Sequence, residues 1–375
     1  MEFIDLKKQY DLIKNEVNSN INRVFEHGKF IMGPEINELE NRLSNYVGTK
    51  YAITCSSGTD ALLLPLMAKE IGPGDAVITV SFTFVSTAEV ISLLGATPVF
   101  TDICPKCFNI STKEINASIE LARKKGLRPK AIIPVDLFGQ PANYDEINKI
   151  AKENDMWVLE DLAQAFGASQ NNVKTGNFGL VGATSFFPAK PLGCYGDGGA
   201  IFTNNDDLAE KIKSIRVHGK GSDKYDNVRI GINGRLDTIQ AAILLAKLDI
   251  FDSEIKSRND KALIYNNLLS EVLKTPFVRP SNISAWAQYS VLAKNSNQRS
   301  KLQSILKENN IPSAIYYPTP LHLQTAYKYL NQKEGSLPIS EDISKRIFSL
   351  PMHPYLEKKE ISIVSNVIYE ALIKN

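Results

Sequence analysis

Short apolar runs alternate with amphipathic segments along the first two thirds of the chain. Four of these runs, over residues 76–80, 98–100, 131–135 and 157–159, have the length and bounding turns of strands. A helix-like pattern over residues 143–154 separates the last two runs. Strands that are buried on both faces and separated by helices are typical of a parallel sheet. The pattern therefore predicts an α/β fold with a mostly parallel sheet.

Both ends of the chain depart from this alternation. The first 50 residues have a helical pattern, and Pro34 followed by Glu35 suits a helix N-terminus. From Thr238 to about residue 273 the pattern predicts one long helical stretch, with a strand over residues 289–292 farther on.

The chain has 375 residues, which is typical of one large domain together with a smaller one. We predict a large α/β domain over residues 1–245, which includes the N-terminal helical segment. A smaller C-terminal α+β domain is predicted over residues 246–375, so the boundary lies near residue 245.

Composition excludes several classes of function. The net charge is +2 and no basic tract is present, which argues against a nucleic-acid partner. No apolar run approaches the roughly 20 residues that cross a bilayer. The first eight residues mix charged and apolar side chains and contain no signal-peptide core. We therefore expect a cytoplasmic protein with no membrane partner.

The cysteines and histidines predict no metal site. Cys104 and Cys107 form a CxxC pair, but no second pair follows, and two thiolates cannot supply four zinc ligands. An ordinary loop role is favoured for this pair, while redox and metal roles stay open. The histidines have no ligand spacing, and a structural or supporting role is expected for His27, His218, His322 and His353.

Candidate chemistry centres on Lys190. This lysine lies in a small and aromatic segment over residues 183–193, just before a glycine-rich stretch. A lysine becomes a nucleophile toward an aldehyde only when its amine is neutral, and partial burial lowers its pKa toward that state. Glycines allow backbone to approach a flat ring closely. This context favours a reactive lysine over an ordinary surface lysine.

A pair of carboxylates, Glu160 and Asp161, follows the predicted strand over residues 157–159. The carboxyl ends of parallel strands are where α/β folds bind ligands. Successive strand residues point to opposite faces, so only one of the two can face a ligand. We predict that Asp161 does so, although an aspartate at this position is also common as a helix cap.

Residues 55–62 form a polar turn that runs into an apolar helix. The backbone amides of Gly58 and Thr59 at this helix N-terminus would hold a phosphate group. Serine and threonine also cap many ordinary helices, so this segment alone is a weak signal.

Arranged in this order, the segments resemble sugar aminotransferases of the DegT/StrS type, a branch of the fold-type I pyridoxal-phosphate enzymes. The resemblance covers nearly the whole chain. The matching motifs lie at residues 3–7, 28–35, 57–62, 83–88, 160–161, 187–190, 231–237 and 349–354.

The resemblance implies pyridoxal 5'-phosphate as cofactor and assigns the residues around its ring. Lys190 carries the cofactor covalently, and Asp161 pairs with the pyridine nitrogen. Gln164 lies beside the 3-hydroxyl group, and Phe84 stacks on the face of the ring.

The resemblance also implies a phosphate site that two subunits share. Gly58, Thr59 and Ser185 hold the phosphate from one subunit, and Asn233 reaches it from the neighbouring subunit. A homodimer with shared active sites is therefore expected.

The expected reaction is amino transfer, with L-glutamate as donor, to a keto carbon of a nucleotide-linked sugar. One branch of the family has histidine in place of the lysine and removes a hydroxyl group, and Lys190 argues against that branch. Residues 186–202 and 349–356 are most similar to family members that act on UDP-2-acetamido-2-deoxy-3-oxo-glucuronate. Such chemistry would serve the biosynthesis of a surface polysaccharide such as O-antigen.

The identity of the sugar stays open at this point. Arg235 is a candidate for binding a sugar carboxylate, and Tyr316 and Tyr317 are candidates for binding the substrate. Many relatives have histidine where this chain has Tyr316, which removes a possible positive charge. Another 3-keto or 4-keto nucleotide hexose is the main alternative.

Two other classes of protein also stay open. One is a regulator that keeps the pyridoxal-phosphate fold without turnover. The other is a pyridoxal-phosphate desulfurase, which needs a mobile attacking cysteine. Cys194 instead follows Lys190 in a glycine-rich turn that is expected to pack close to the cofactor.

Overall fold

Two helices precede the first strand, as the sequence predicts. The computed structural model describes residues 1–223 and 225–373. The two helices are α1 (Leu6–His27) and α2 (Pro34–Val47). Pro34 occupies the first turn of α2, where its missing N–H is not needed. Gly28 ends α1 with a φ of 66°, a left-handed conformation that glycine adopts without steric penalty.

Strands and helices then alternate as far as residue 161, and four more strands follow before a last helix that ends at residue 215. The strands are β1 (Tyr51–Cys55), β2 (Asp75–Val80), β3 (Thr97–Thr101), β4 (Arg128–Ile133), β5 (Trp157–Asp161), β6 (Ser169–Gln170), β7 (Val173–Lys174), β8 (Val181–Ser185) and β9 (Gly199–Thr203). The helices are α3 (Gly58–Ala68), α4 (Ser86–Leu93), α5 (Thr112–Lys124), α6 (Tyr144–Glu153) and α7 (Asp206–Ile215).

Seven of these strands form one sheet in the order β1-β9-β8-β5-β4-β2-β3. The neighbours among β3, β2, β4, β5 and β8 pair in parallel, and β9 is antiparallel to both β8 and β1. The expected mostly parallel α/β sheet is thereby confirmed. The carboxyl ends of its parallel strands meet at one edge, which collects the loops after β1, β2, β4, β5 and β8.

The C-terminal part begins with two helices and ends in a small α+β layer. Its elements are α8 (Thr238–Leu248), α9 (Phe251–Leu269), β10 (Asn282–Ile283), β11 (Tyr289–Leu292), α10 (Ser296–Glu308), α11 (Pro338–Arg346), β12 (Ile347–Leu350) and α12 (Lys358–Ile373). Strands β11 and β12 pair antiparallel, and α9, α10 and α12 pack with them around buried Tyr289 and Phe348. The domain boundary near residue 245 falls inside α8 and stays a prediction.

The predicted single helical stretch from Thr238 to about residue 273 is wrong in one respect. The helix breaks between α8 and α9 at Asp249 and Ile250, and α9 ends at Leu269. No glycine or proline marks this break. The buried ring of Phe251, the first residue of α9, packs against Phe166, so the break coincides with a tertiary contact. Among the described residues, no helix is both long and apolar enough to span a membrane.

Candidate active site

A cavity of about 770 Å³ opens at the carboxyl edge of the sheet. Such a volume is in the range that small-molecule sites occupy. Nine of the residues that the sequence singles out line this cavity together. They are Gly58, Thr59, Phe84, Asp161, Gln164, Ser185, Lys190, Tyr316 and Tyr317.

Lys190 lies in a turn that follows β8. Its backbone N–H donates a hydrogen bond of 2.9 Å to the Phe187 carbonyl, which folds the turn back toward the sheet. Burial lowers the pKa of the Lys190 amine, and the negative charge of Asp161 partly opposes this shift. The neutral form of the amine is therefore more populated here than on a solvated lysine. This is the state in which a lysine attacks a carbonyl carbon.

Asp161 ends β5 and is only 4% exposed. Thr87 Oγ1 donates a hydrogen bond of 2.8 Å to Asp161 Oδ2, and the Ala163 N–H donates one of 3.2 Å to Oδ1. Burial raises the pKa of Asp161, while these two donors and Lys190 act in the opposite direction. A cationic partner in the cavity would act in the same direction as these donors and favour the ionised form of Asp161.

Glu160 points to the other face of β5, as strand geometry requires. Its carboxylate accepts hydrogen bonds of 2.6 Å from the Gly176 N–H and 3.3 Å from the Phe178 N–H. Of the two neighbouring carboxylates, only Asp161 lines the cavity.

A second buried carboxyl, Asp136, contacts Glu160 directly behind the site. Both side chains are fully buried. Asp136 Oδ1 accepts hydrogen bonds of 2.8 Å from the Tyr144 hydroxyl and the Ala142 N–H, whereas Oδ2 has no other partner. Burial, followed by the charge of Glu160, raises the pKa of Asp136, and burial raises that of Glu160. Burial and mutual repulsion thus favour the state in which one of the two carboxyls keeps its proton.

The start of α3 forms a small cradle of polar groups. Ser57 caps the helix, because its Oγ accepts a hydrogen bond of 3.0 Å from the Asp60 N–H. Thr59 Oγ1 lies 2.8 Å from Ser86 Oγ, so hydroxyl groups surround the free amides at this helix end. The positive end of the helix dipole makes such a cradle suitable for a phosphate group.

The cradle is built from close contacts that leave no room for side chains. A Cβ atom at Gly58 would lie 2.5 Å from Ser185 Cβ. A Cβ atom at Gly199 would collide with the Ser57 carbonyl oxygen. Glycine is therefore required at both positions.

Aromatic side chains form another part of the cavity lining. Phe84 is 53% exposed, and its ring centroid lies 6.3 Å from that of Tyr317. The Tyr317 hydroxyl accepts a hydrogen bond of 3.0 Å from Gln164 Nε2, and Gln164 Oε1 accepts one of 2.7 Å from the Phe138 N–H. This network fixes which end of the Gln164 amide points at Tyr317. An exposed ring beside a fixed amide suits the binding of a flat, polar ring.

The N-terminal segment reaches the same cavity, which the sequence reasoning did not foresee. Ile4 lines the cavity, and the Phe3 ring packs 6.3 Å from the Tyr316 ring. The Met352 N–H donates a hydrogen bond of 3.3 Å to the Phe3 carbonyl. Ser86 and Thr87 were also not predicted, although their position at the start of α4, after β2, was a usable signal.

Asn233 and Arg235 do not line the cavity. Asn233 is exposed and forms a bridge with Val217 at the base of an extended loop. The Arg235 Nε is buried and has no hydrogen-bond partner among the described residues. Ile230, in the same loop, is 86% exposed. An exposed apolar loop of this kind is typical of an interaction surface.

The remaining sequence candidates lie elsewhere. Cys194 is fully buried beneath its turn, where its thiol donates to the carbonyls of Phe186 and Gly196, and it does not line the cavity. The expectation that it packs close to the cofactor stays a prediction. The described residues include no group of three or more histidine, cysteine, aspartate or glutamate side chains that could hold a metal ion.

Two histidines make the structural contacts expected of them. His27 Nε2 lies 3.1 Å from the Glu35 carboxylate. His322 is buried between Ser81 Oγ at 2.6 Å and Glu341 Oε1 at 3.0 Å.

Comparison with known proteins gives consistent matches over the whole chain. The model of the DegT/DnrJ/EryC1/StrS aminotransferase family matches residues 11–369. The UDP-2-acetamido-2-deoxy-3-oxo-D-glucuronate aminotransferase of Pseudomonas aeruginosa is 48% identical over 365 residues, which cover 97% of this chain and 98% of that protein.

Solved structures agree with these sequence matches. A DegT/DnrJ/EryC1/StrS aminotransferase from Brucella abortus superposes with a TM-score of 0.97 at 50% identity, and the match covers 100% of both chains. NtdA from Bacillus subtilis, crystallised with bound cofactor PMP, has a TM-score of 0.89 at 26% identity, over 99% of this chain and 83% of that one.

Proposed function

Because the chain belongs to the DegT/DnrJ/EryC1/StrS aminotransferase family, we propose that it aminates the keto carbon of UDP-2-acetamido-2-deoxy-3-oxo-glucuronate. The chain is a pyridoxal-phosphate-dependent aminotransferase, as its relatives are. The observation that carries the proposal is the meeting of Lys190 and Asp161 in one cavity, in a chain 48% identical to an enzyme named for this sugar. L-Glutamate is the proposed amine donor, and a surface polysaccharide such as O-antigen is the proposed destination of the product.

The donor set of the cavity fits pyridoxal phosphate. The amides of Gly58 and Thr59, with the hydroxyl of Ser185, would hold the phosphate at the N-terminus of α3. Asp161 would pair with the pyridine nitrogen. The absence of space for a side chain at Gly58 supports this assignment, because it lets the N-terminus of α3 pack directly against Ser185, whose hydroxyl would bind the same phosphate.

The remaining cofactor contacts come from the aromatic wall and the lysine turn. Phe84 would cover one face of the ring, and Gln164 would bind the 3-hydroxyl group. Lys190 would hold the cofactor covalently. When bound, pyridoxal phosphate supplies an electron sink for the carbon that carries the amine.

Two side chains would perform the proton chemistry. The Asp161 carboxylate would keep a proton on the pyridine nitrogen, which maintains the electron sink. Lys190, whose pKa is lowered by burial, would in its neutral form accept the proton from the α-carbon of the donor. In net terms, L-glutamate becomes 2-oxoglutarate and the keto sugar becomes an amino sugar, with no external oxidant.

The substrate contacts proposed for this chain come from two subunits. Tyr316 and Tyr317 lie at the cavity and would contact the sugar of their own subunit. Asn233 and Arg235 lie outside it, on a loop whose exposed Ile230 supports an interface with a second copy. In a homodimer with shared active sites, Asn233 would reach the phosphate and Arg235 the sugar carboxylate of the partner's site. A guanidinium can bind a carboxylate through two parallel hydrogen bonds, which suits Arg235 to this role.

The test is the reverse reaction, because amino sugars are stable reagents. Purified protein is loaded with pyridoxal phosphate and given 2-oxoglutarate with UDP-2-acetamido-3-amino-glucuronate, its neutral 3-amino glucose counterpart, or a 4-amino nucleotide hexose. Glutamate formation is measured for each sugar, and Lys190→Ala serves as the blank. We expect the highest kcat/KM with the glucuronate. A higher value for a neutral sugar would favour the alternative, another 3-keto or 4-keto hexose.

A further inference from the structure

The two cysteines of the CxxC pair lie in one closed turn between β3 and α5. The Cys104 N–H donates a hydrogen bond of 2.8 Å to the Asn109 carbonyl, and the Phe108 N–H donates one of 2.9 Å to the Cys104 carbonyl. A bridge between Ile103 and Ile110 closes the base of the turn. Residues three apart in such a turn have Cα atoms within about 7 Å, which overlaps the span of a disulfide. A disulfide between Cys104 and Cys107 therefore suits this backbone.

The two sulfur atoms have different surroundings. Cys104 is partly exposed, whereas Cys107 is only 5% exposed. The Cys107 thiol and the backbone N–H groups of Lys106 and Cys107 face the Cys104 sulfur. These donors, with the Cys107 thiol first, lower the pKa of Cys104, and the guanidinium of Arg279 adds to the effect. The contact with Cys104, followed by burial, raises the pKa of Cys107.

This asymmetry is what a dithiol exchange site needs. The thiolate is the attacking species, and access to solvent decides which sulfur meets an external partner. Cys104 is therefore suited to attack first, and Cys107 is held beside it as the second thiol.

The other two cysteines provide an internal contrast. Cys55 and Cys194 are both fully buried, and burial raises the pKa of each, to about 11 for Cys194. Neither lies within a CxxC spacing. They are matched control thiols in the same chain.

We propose that Cys104 and Cys107 form a thiol–disulfide exchange site whose partners are small or protein disulfides. The Cys104 thiolate attacks one sulfur of the partner disulfide, and the other sulfur leaves as a thiolate. Cys107 then loses its proton and attacks the Cys104 sulfur, which releases the second partner thiolate. Two thiols of the chain lose two electrons to form one disulfide, and the partner disulfide is reduced to two thiols.

This site is separate from the proposed amino transfer. Neither cysteine lines the cavity that contains Lys190. Exchange can therefore be measured on the cofactor-loaded protein without any sugar substrate, and its result does not depend on the proposed function.

Peptide mapping provides a direct test. The loaded protein is incubated with mixtures of reduced and oxidised glutathione, quenched with acid, alkylated and digested with trypsin without reduction. Cleavage after Lys106 separates the two cysteines, so only a disulfide can hold their peptides together. We expect the joined peptides to appear as the oxidised fraction rises. Their absence at every ratio would overturn the proposal.

Single substitutions separate the two roles. Cys107→Ser should stop at a stable glutathione adduct on Cys104, whereas Cys104→Ser should form little adduct on Cys107. In the native protein, iodoacetamide should modify Cys104 at least about 10-fold faster near neutral pH than Cys55 or Cys194, because thiolate content and exposure set the rate. Alanine at each position, with an unchanged melting temperature, controls for loss of fold. Equal labelling of all four cysteines, or an adduct mainly on Cys107, contradicts the assigned order.

Discussion

Thr87 Oγ1 donates a hydrogen bond of 2.8 Å to Asp161 Oδ2, and this joins the start of α4 to the end of β5. Thr83 Oγ1 lies 3.2 Å from the same hydroxyl, so the threonine rotamer is held from both sides. Burial raises the pKa of Asp161, and Thr87 is the first of the groups that lower it again. Thr87 thus favours the ionised form of a buried carboxylate.

Substitution of Thr87 should change the pH dependence of amino transfer. Thr87→Val removes a hydrogen bond to a charged group, a contact worth about 1.5–3 kcal/mol, and leaves Asp161 easier to protonate. Since the ionised form is the active one, the acid limb of the kcat–pH profile should move to higher pH. Thr87→Ser retains the hydroxyl and should keep the wild-type profile. Identical profiles for all three proteins would remove Thr87 from this role.

Asp161→Asn should bind the cofactor and lose most of its turnover. The amide cannot hold a proton on the pyridine nitrogen by charge, and loss of a preorganised electrostatic group commonly lowers the rate by about 100-fold or more. Cofactor content is read from absorbance and kcat from glutamate formation. Glu160→Gln, on the opposite face of β5, is the comparison and should retain more activity. If Glu160→Gln lost more activity than Asp161→Asn, Glu160 would be the residue that pairs with the pyridine nitrogen.

Lys190 should be the residue that binds the cofactor covalently. Borohydride treatment of the loaded protein should fix the cofactor on the peptide that contains Lys190, and Lys190→Arg should abolish this label. Lys247 is the internal control, because burial also lowers its pKa, to about 8, but its Nζ donates to the Gly193 carbonyl outside the cavity. A label on Lys247 or any other lysine would contradict the assignment.

The Asp136–Glu160 pair should make stability depend on pH. Burial raises the pKa of Glu160 above its ordinary value of 4.5, so the folded chain keeps a proton that the unfolded chain releases. The free energy of unfolding should therefore decrease as pH rises above that value toward the raised pKa. Melting temperatures between about pH 5 and about pH 8 measure the slope.

Asp136→Asn should flatten this slope, because an amide N–H can replace the shared proton without titrating. Asp11→Asn, at an exposed position on α1, should keep the wild-type slope. A slope unchanged by Asp136→Asn would mean that the pair does not hold the proton.

The loop with Asn233 and Arg235 should act on the site of a second subunit. Asn233→Ala is expected to weaken cofactor retention. Arg235→Ala should raise KM for a glucuronate substrate by an amount equivalent to about 2–4 kcal/mol, with little change for a neutral sugar, because only the acidic sugar offers a partner charge. The glutamate half-reaction should change little.

Subunit mixing tests this arrangement directly. A Lys190→Ala chain and a chain with both Asn233→Ala and Arg235→Ala should regain activity when mixed, since one of the two shared sites then has neither defect. Sequential affinity purification on two different tags verifies the exchange of subunits. Exchange without recovered activity would mean that the loop acts on its own subunit's site.

The sequence predicted the parts of the site whose chemistry is local. Lys190 was recognisable from its uncharged neighbours, and Asp161 from its place after a buried strand. The strand periodicity also predicted the parallel sheet, because burial on both faces leaves continuous apolar runs.

Local sequence patterns could not predict the contacts between distant parts of the chain. Ile4 reaches the cavity only because the N-terminal segment is bound by Met352, far away in sequence. The contact between Asp136 and Glu160 and the break before Phe251 depend in the same way on tertiary packing. The spacing of Cys104 and Cys107 was visible, but the unequal surroundings of the two sulfur atoms were not.

The crowding at Gly58 and Gly199 has a consequence for engineering the enzyme. Any larger residue at these two positions meets Ser185 or the Ser57 backbone, so mutant libraries should leave them unchanged. Tyr316 and Ile4 line the same cavity, are partly exposed and lie outside the proposed cofactor contacts, so these positions have room for variation. Directed evolution toward new sugars should therefore diversify the positions around Tyr316 and treat the phosphate cradle as fixed.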